Sequence, residues 1–391
     1  MTIKTNTLKT LKVRIRDKHK TLLNRMAFET NQVWNAANAE TRDWCYIPVP
    51  EVGFIRNNIS AFDLQKQLKT IKKERDFIIH STTVQEIIAI HAKARKQLKK
   101  DKLRWRTSGG SRRSLGFIPF KSGAAKFLNG QIRFAGHFLN VWDSHCLSQF
   151  EFRSGSFSED SRGRWYFNIV VEVAVKPSLA TNEVGIDLGL KTTAACSNGE
   201  FLERKSFYRQ SEKKLAIAQR ANKKKRVKAI HAKIKNQRND AIHKFTTQLV
   251  KNNGLIVVGN VKSSAIAKTK MAKSVLDAGW YMLKTQLDYK SKGMQVEFIE
   301  VNEKYTTQMC SCCGNISASS PRGRADLGIR EWTCALCGTA HDRDINSATN
   351  ILRLGHQALA VGIPVLIGQG GCQCEYESRK RVFVLCHFWD S

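Results

Sequence analysis

Val184-Gly-Ile-Asp-Leu-Gly-Leu-Lys-Thr-Thr-Ala-Ala-Cys-Ser-Asn-Gly-Glu-Phe-Leu-Glu203 governs the reading of the C-terminal half. Two runs rich in β-formers are joined by Gly189-Leu-Lys191, and a third follows the Asn198-Gly199 turn, so an antiparallel meander is expected. Asp187 lies inside the first run. A carboxylate in an apolar strand is costly unless it is paired or binds a cation. Asp187 is therefore either a satisfied structural aspartate or a metal ligand.

Downstream, a long helical region is expected from about Gln210 to Asn252, with Val227, Ile230 and Ile234 on a narrow apolar face. Two short apolar strands follow, Leu255–Val258 and Val296–Val301, separated by a helical stretch near Trp280–Tyr289. The order β-β-β-α-β-α-β is that of a ribonuclease H-like fold. Upstream, Leu11, Val13 and Ile15 alternate with basic residues as on a half-buried strand, and Ala61–Arg104 reads as helical and basic. Trp165–Val175 is again rich in β-formers and returns to the sheet begun at Leu11. Residues 1–178 thus read as one β-barrel-like domain interrupted by helices, with Pro177–Asn182 as the linker to the second half.

The 391 residues suffice for two or three cores of about 150 residues each. With 65 Lys or Arg against 33 Asp or Glu, the formal charge is +32, which points to a polyanion, above all nucleic acid, rather than to a plain solvated surface. The largely apolar run Ala358–Ile367 contains Gly362 and Pro364 and is too short to cross a membrane. No secretory signal is expected from Met1–Thr7. Eleven cysteines, an odd number with one dense cluster, suggest a reducing compartment rather than a disulfide framework.

Cys310-Ser-Cys-Cys313 and Cys334-Ala-Leu-Cys337 are two CxxC pairs, each followed by glycine. Four thiolates at this spacing close a tetrahedral structural Zn²⁺ site with no open position for catalysis; Cys312 is a bystander. His341-Asp-Arg-Asp-Ile-Asn346 follows at once. Asp344 opens a helix whose Ala348 and Ile351 suit packing on the sheet, and serves either as its cap or as a second metal carboxylate facing Asp187. Asp342 is the alternative for the metal role.

This series of motifs resembles the transposon-encoded RNA-guided nucleases of the TnpB (OrfB) type, relatives of type V CRISPR effectors. The elements that carry it are Gly-Ile-Asp-Leu-Gly, a basic helix, an apolar strand, Tyr305-Thr-Thr-Gln-Met-Cys310, both CxxCG pairs and His341–Asn346. The resemblance is close over residues 183–353; the N-terminal half shares only the pattern of strand, helical insertion and strand. It implies an α/β multidomain chain. A wedge-like β-barrel at 1–178 would carry a helical recognition insertion at about 20–110. A RuvC nuclease domain would occupy 179–305 and 340–363, interrupted by a zinc-bearing, target-nucleic-acid-binding insertion at 306–339. The tail at 364–391 is read as disordered or as folding on RNA. A guide RNA, a double-stranded DNA target and a prokaryotic, cytoplasmic, nucleoid-associated setting are implied as well.

One departure matters. The family's catalytic glutamate is expected where the Leu255 strand ends, and this chain has Gly259 there, followed by Asn260. Glu303, just past the Val296–Val301 strand, would supply the missing oxygen if the two strands are neighbours, and its Asn-Glu-x-Tyr-Thr setting is similar to that of members with a displaced glutamate. Asp187, Glu303 and Asp344 are then the expected triad for two Mg²⁺ ions, with Glu300 a weaker substitute. Between Phe201 and Phe245, 15 Lys or Arg face 3 Asp or Glu, a density that suits contact with phosphates. Lys223, Lys224, Lys225, Arg226 and Arg238 are the expected contacts to an RNA–DNA heteroduplex, and Trp105, Arg106, Arg112 and Arg113 mix aromatic and basic character. The expected activity is RNA-guided DNA cleavage. The alternatives are a guided repressor that has lost its nuclease, and a transposase that needs no guide.

Overall fold

The computed structural model describes residues 6–43, 46–49, 53–56, 59–100, 103–261, 263–322 and 325–360. The tail at 364–391 and the last residues of the expected nuclease segment, 361–363, lie outside the described residues.

In the N-terminal half the elements are β1 (Asn6–Ile15), α1 (Lys20–Asp43), β2 (Tyr46–Val49), β3 (Gly53–Arg56), α2 (Ala61–Gln67), α3 (Ile71–Glu74) and α4 (Ser81–Leu98). They are followed by β4 (Phe117–Phe120), β5 (Ala125–Leu128), β6 (Gln131–Phe134), β7 (His137–Trp142), β8 (Gly155–Glu159) and β9 (Trp165–Ala174). The stretch expected to be helical and basic at 61–104 holds three helices, α2, α3 and α4. Alternation builds the sheet: Leu11, Val13 and Ile15 of β1 and Trp165, Phe167, Ile169 and Val171 of β9 face the core. The two strands pair antiparallel from Asn6 opposite Ala174 to Arg14 opposite Tyr166. Phe120, Phe134, Phe157 and Phe167 interlock beneath, with ring centroids 4.9–5.8 Å apart.

The expected barrel is not closed. Seven strands run in the order β4-β8-β9-β1-β7-β6-β5, and among the described residues no pairing joins the edges β4 and β5. Helices α1 and α4 pack against β4 instead. Their buried Leu23, Met26, Ile87 and Ile88 belong to the same core as the phenylalanines and fill the space that strand closure would have enclosed.

The second half contains β10 (Asn182–Asp187), β11 (Ala194–Cys196), β12 (Phe201–Leu202), α5 (Phe207–Arg220), α6 (Lys224–Asn252), β13 (Asn253–Gly259), α7 (Ser263–Ile266), α8 (Ala272–Ala278), α9 (Trp280–Met294) and β14 (Glu297–Val301). The chain continues through β15 (Glu331–Thr333), β16 (Ala340–Asp342) and α10 (Arg343–Ala360). The five-stranded sheet has the order β12-β11-β10-β13-β14. β10, β11 and β12 are antiparallel, whereas β13 runs parallel to β10 and β14 parallel to β13. One face packs on α6, α8 and α9 through Ile242, Leu249, Val275, Leu283 and Leu287. The other receives α10, whose Ile351 packs with Leu255, Val257, Ile299 and Val301. The expected long helix is broken near Asn222, which adopts a left-handed φ of 50°. No helix among the described residues is long and apolar enough to cross a membrane.

Three parallel strands end side by side, with Ile186 opposite Val258 and Gly259 opposite Val301. In open α/β sheets, ligands bind beyond such carboxyl ends.

Candidate active site and metal centre

Asp187 closes β10, Gly259 closes β13, and Glu303 stands two residues beyond β14. A Cβ added at Gly259 would lie 3.2 Å from the Cβ of Glu303, 3.3 Å from its Cδ and closer still to Oε2. The glutamate carboxylate therefore fills the space that a side chain at position 259 would need. Glu303 Oε2 is buried with no hydrogen-bond partner. Burial, and then the charge of Asp187, raise the Glu303 pKa to about 7, while Lys284 opposes the rise. Lys284 is itself 2.8 Å from Glu300, so the alternative acid Glu300 is committed to an ion pair.

Asp187 is raised to about 6, first by burial; a hydrogen bond from Ser347 lowers it, the charge of Asp344 raises it, and Arg343 and Arg330 lower it. The acids thus sense one another in sequence, Glu303 through Asp187 and Asp187 through Asp344. Two carboxyls held near neutral pH, one with an orphaned buried oxygen, form a donor set suited to a hard divalent cation, whose charge would return both to their ionised forms.

Asp344 lies in the first turn of α10, but the cap is Asp342. Its Oδ1 accepts the N–H groups of Asp344 and Ile345, both at 2.9 Å. The Asp344 carboxylate is held by Arg330 Nη1 at 2.7 and 2.9 Å. Among the described residues, the metal-ligand group of three or more side chains is the four-cysteine cluster, and the three carboxylates are not gathered into such a group. Arg330, unnoticed in the sequence, partners Asp344 in their place.

The Sγ atoms of Cys310, Cys313, Cys334 and Cys337 all lie within 4.8 Å of one another. Cys310 and Cys337 are 3.6 Å apart, and Cys313 and Cys334 3.8 Å. A tetrahedron with Zn–S bonds of about 2.3 Å has edges of about 3.8 Å, so the cluster fits zinc. Both knuckles share one backbone design: Gly314 N–H donates to Cys310 O at 2.9 Å and Gly338 N–H to Cys334 O at 2.8 Å, with φ of 77° and 72° at the glycines. The Thr339 hydroxyl leads in lowering the Cys337 pKa to about 6, whereas burial pushes Cys310 up to about 12. His341 Nε2 lies 3.0 Å from Cys310 Sγ.

Lys223, Lys224, Lys225 and Arg226 are exposed where α6 begins, and no ion pair engages them among the described residues. Arg238 is used differently, donating to the backbone carbonyl of Leu276. Arg113 pairs with Glu159 at 2.7 Å and Arg106 stacks 3.9 Å from the Trp34 ring, so both serve packing. A further basic surface was missed. On the solvent face of the first sheet, the Arg14 and Arg16 guanidiniums lie 5.1 and 4.7 Å from the Trp142 ring, and Lys12 Nζ lies 4.3 Å over Tyr166. Desolvation, and then the charge of Lys235 on α6, lower the Lys12 pKa, which Asp160 opposes. The alternation Lys12, Arg14, Arg16 was the available signal.

The mixed α/β fold of the chain is similar to that of Cas12f1. It superposes on the cryo-EM structure of a Cas12f1-sgRNA-target DNA complex with a TM-score of 0.56, 13% identity and coverage of 89% of this chain and 99% of that one. By sequence, residues 167–270 match the OrfB_IS605 model, described as "Probable transposase", and residues 280–351 match the Cas12f1-like TNB domain. Residues 167–270 and 280–351 are thus similar to an OrfB_IS605 domain and to a Cas12f1-like TNB domain in turn. A Streptomyces pristinaespiralis protein named "Putative RNA-guided DNA endonuclease" is 35% identical over 220 residues, 52% of this chain and 53% of that protein. CRISPR-associated endodeoxyribonuclease Cas12f1 of Sulfoacidibacillus thermotolerans is 27% identical over 49% of this chain and 51% of its own. The chain spans about half the length of the curated relatives it matches.

Proposed function

We propose that the chain is the RNA-guided DNA endonuclease of a transposable element. In this reading residues 179–305 and 340–363 form a ribonuclease H-like RuvC domain, 306–339 a zinc-bearing insertion that binds target nucleic acid, and 1–178 a wedge-like domain with helical recognition elements at about 20–110. Glu303 supports it most: a buried, unpartnered carboxylate oxygen fills the place left by Gly259 and shares an electrostatic environment with Asp187. The names of the relatives supply guide RNA and DNA as partners.

Asp187, Glu303 and Asp344 would hold two Mg²⁺ ions, which supply an activated water and stabilise the departing 3′ oxygen. The chain's own part begins with Arg330, which must leave Asp344 before that carboxylate is free. Ser347 keeps its hydrogen bond to Asp187, and Lys284 tempers the charge near Glu303. Lys223–Arg226 would contact phosphates without reading sequence. Trp142, flanked by two guanidiniums, offers a stacking surface for an unpaired base.

The Arg330–Asp344 pair also favours a second reading, a guided repressor that binds without cutting. Purification of the full chain from cells, sequencing of the nucleic acid it retains, and incubation with a matched plasmid in Mg²⁺ separate the readings. The endonuclease carries a discrete RNA and cuts; the repressor carries RNA and binds without nicks. A transposase carries no discrete RNA.

A further inference from the structure

Ser347 lies on α10 one turn after Asp344, so both project from one side of the helix. Its Oγ is 3.0 Å from Asp187 Oδ1 and 3.0 Å from Thr306 Oγ1, and Thr306 Oγ1 is 2.8 Å from the carbonyl of Glu303. Both hydroxyl residues are buried, at 0% and 3% exposure. We propose that Ser347 and Thr306 are positioning residues, a two-hydroxyl relay that ties the turn carrying Glu303 to Asp187 so that the two carboxylates are held for a common metal. This rests on the nuclease reading above.

The proton inventory gives the relay a direction. An ionised carboxylate only accepts, so Ser347 donates its single proton to Asp187, and the single proton of Thr306 is shared between two acceptors, the Glu303 carbonyl and the Ser347 oxygen. Glu303 needs such a tie because it stands on a turn beyond β14, outside the ladder that fixes Asp187 and Gly259 in their strands. The turn has backbone anchors besides the hydroxyls. Asn350 Nδ2 donates to the carbonyls of Thr306 and Met309 at 2.9 and 2.7 Å, and Asn346 Nδ2 donates to Met309 O at 2.8 Å. With the backbone anchored by the asparagines, loss of a hydroxyl acts on the carboxylates it orients rather than on the fold.

Mn²⁺ titration of the full-length, nucleic-acid-free protein, read by electron paramagnetic resonance, tests this. Asp187→Asn defines the site. Ser347→Ala and the isosteric Thr306→Val should each weaken Mn²⁺ binding about tenfold, and Thr306→Ser should stay within about twofold of the original chain. The double variant should be no weaker than the worse single one, because either change already breaks the relay. If Asp187→Asn abolishes binding while Ser347→Ala and Thr306→Val bind normally, the relay is wrong and the site stands. Equal damage from Thr306→Ser, which keeps the hydroxyl, and Thr306→Val, which removes it, shows that the site responds to any change of shape at position 306 and also overturns it. Absence of Mn²⁺ binding in the original chain, or binding indifferent to Asp187→Asn, overturns the nuclease reading and the relay together.

Discussion

Gly259 and Glu303 are complementary: the side chain that position 259 lacks would stand where the Glu303 carboxylate lies. β13 and β14 run parallel, with Gly259 opposite Val301, so the turn after β14 brings Glu303 back over the end of β13. Metal ligation needs an oxygen at a point in space and is indifferent to the strand that supplies it.

Gly259→Ala should displace the Glu303 side chain and lower metal affinity about tenfold, comparable to losing a supporting contact. The exchange Gly259→Glu with Glu303→Ala should recover part of the loss. Calorimetric Mn²⁺ titration measures both; normal binding by Gly259→Ala would show that Glu303 is not a ligand.

Stability should depend on pH in the direction the two raised carboxyls dictate. In the unfolded chain both titrate near 4, whereas in the metal-free fold Asp187 titrates at about 6 and Glu303 at about 7. The folded state binds the extra protons, so their contribution is fully present below about pH 4 and is lost as pH rises through 6 to 7. Glu303→Gln removes the larger part. Its melting temperature without metal should match the original chain at pH 4 and exceed it by about 2–5 °C at pH 8. A difference that is constant across this range would contradict the assignment.

Arg330 pairs with Asp344 and, in the proposed site, would compete with a cation for it. In a half-exposed pair this is worth little, so Arg330→Gln should tighten Mn²⁺ binding to the free protein by about two- to fivefold. Weaker binding would mean that Arg330 orders Asp344 instead of blocking it.

The original chain should carry one tightly bound zinc by elemental analysis, and Cys334→Ser should lose it. Because Cys310 begins directly after the turn that Asn346 and Asn350 anchor, zinc loss should also weaken Mn²⁺ binding. Full zinc occupancy in Cys334→Ser would rule out the four-cysteine site.

The series of strands and helices in the second half was legible because each element's pattern is local: Asp187 interrupts an apolar run, and the paired CxxCG turns carry their spacing in the chain. The N-terminal barrel was misread because alternation in β1 and β9 reveals that one face is buried and is silent on what covers it, here α1 and α4. Adjacency of β13 and β14 depends on tertiary pairing and entered only as a condition. Ser347 and Arg330 were invisible for the same reason; a serine within an ordinary helix gains meaning only from Asp187, 160 positions earlier.

Guide-directed cleavage of a supercoiled plasmid in Mg²⁺, run with the original chain and Glu303→Gln at equal target occupancy, decides whether Glu303 is a catalytic carboxylate. The original chain should cut, and Glu303→Gln should bind the same target without cutting. Cleavage by Glu303→Gln at the original rate would contradict that role.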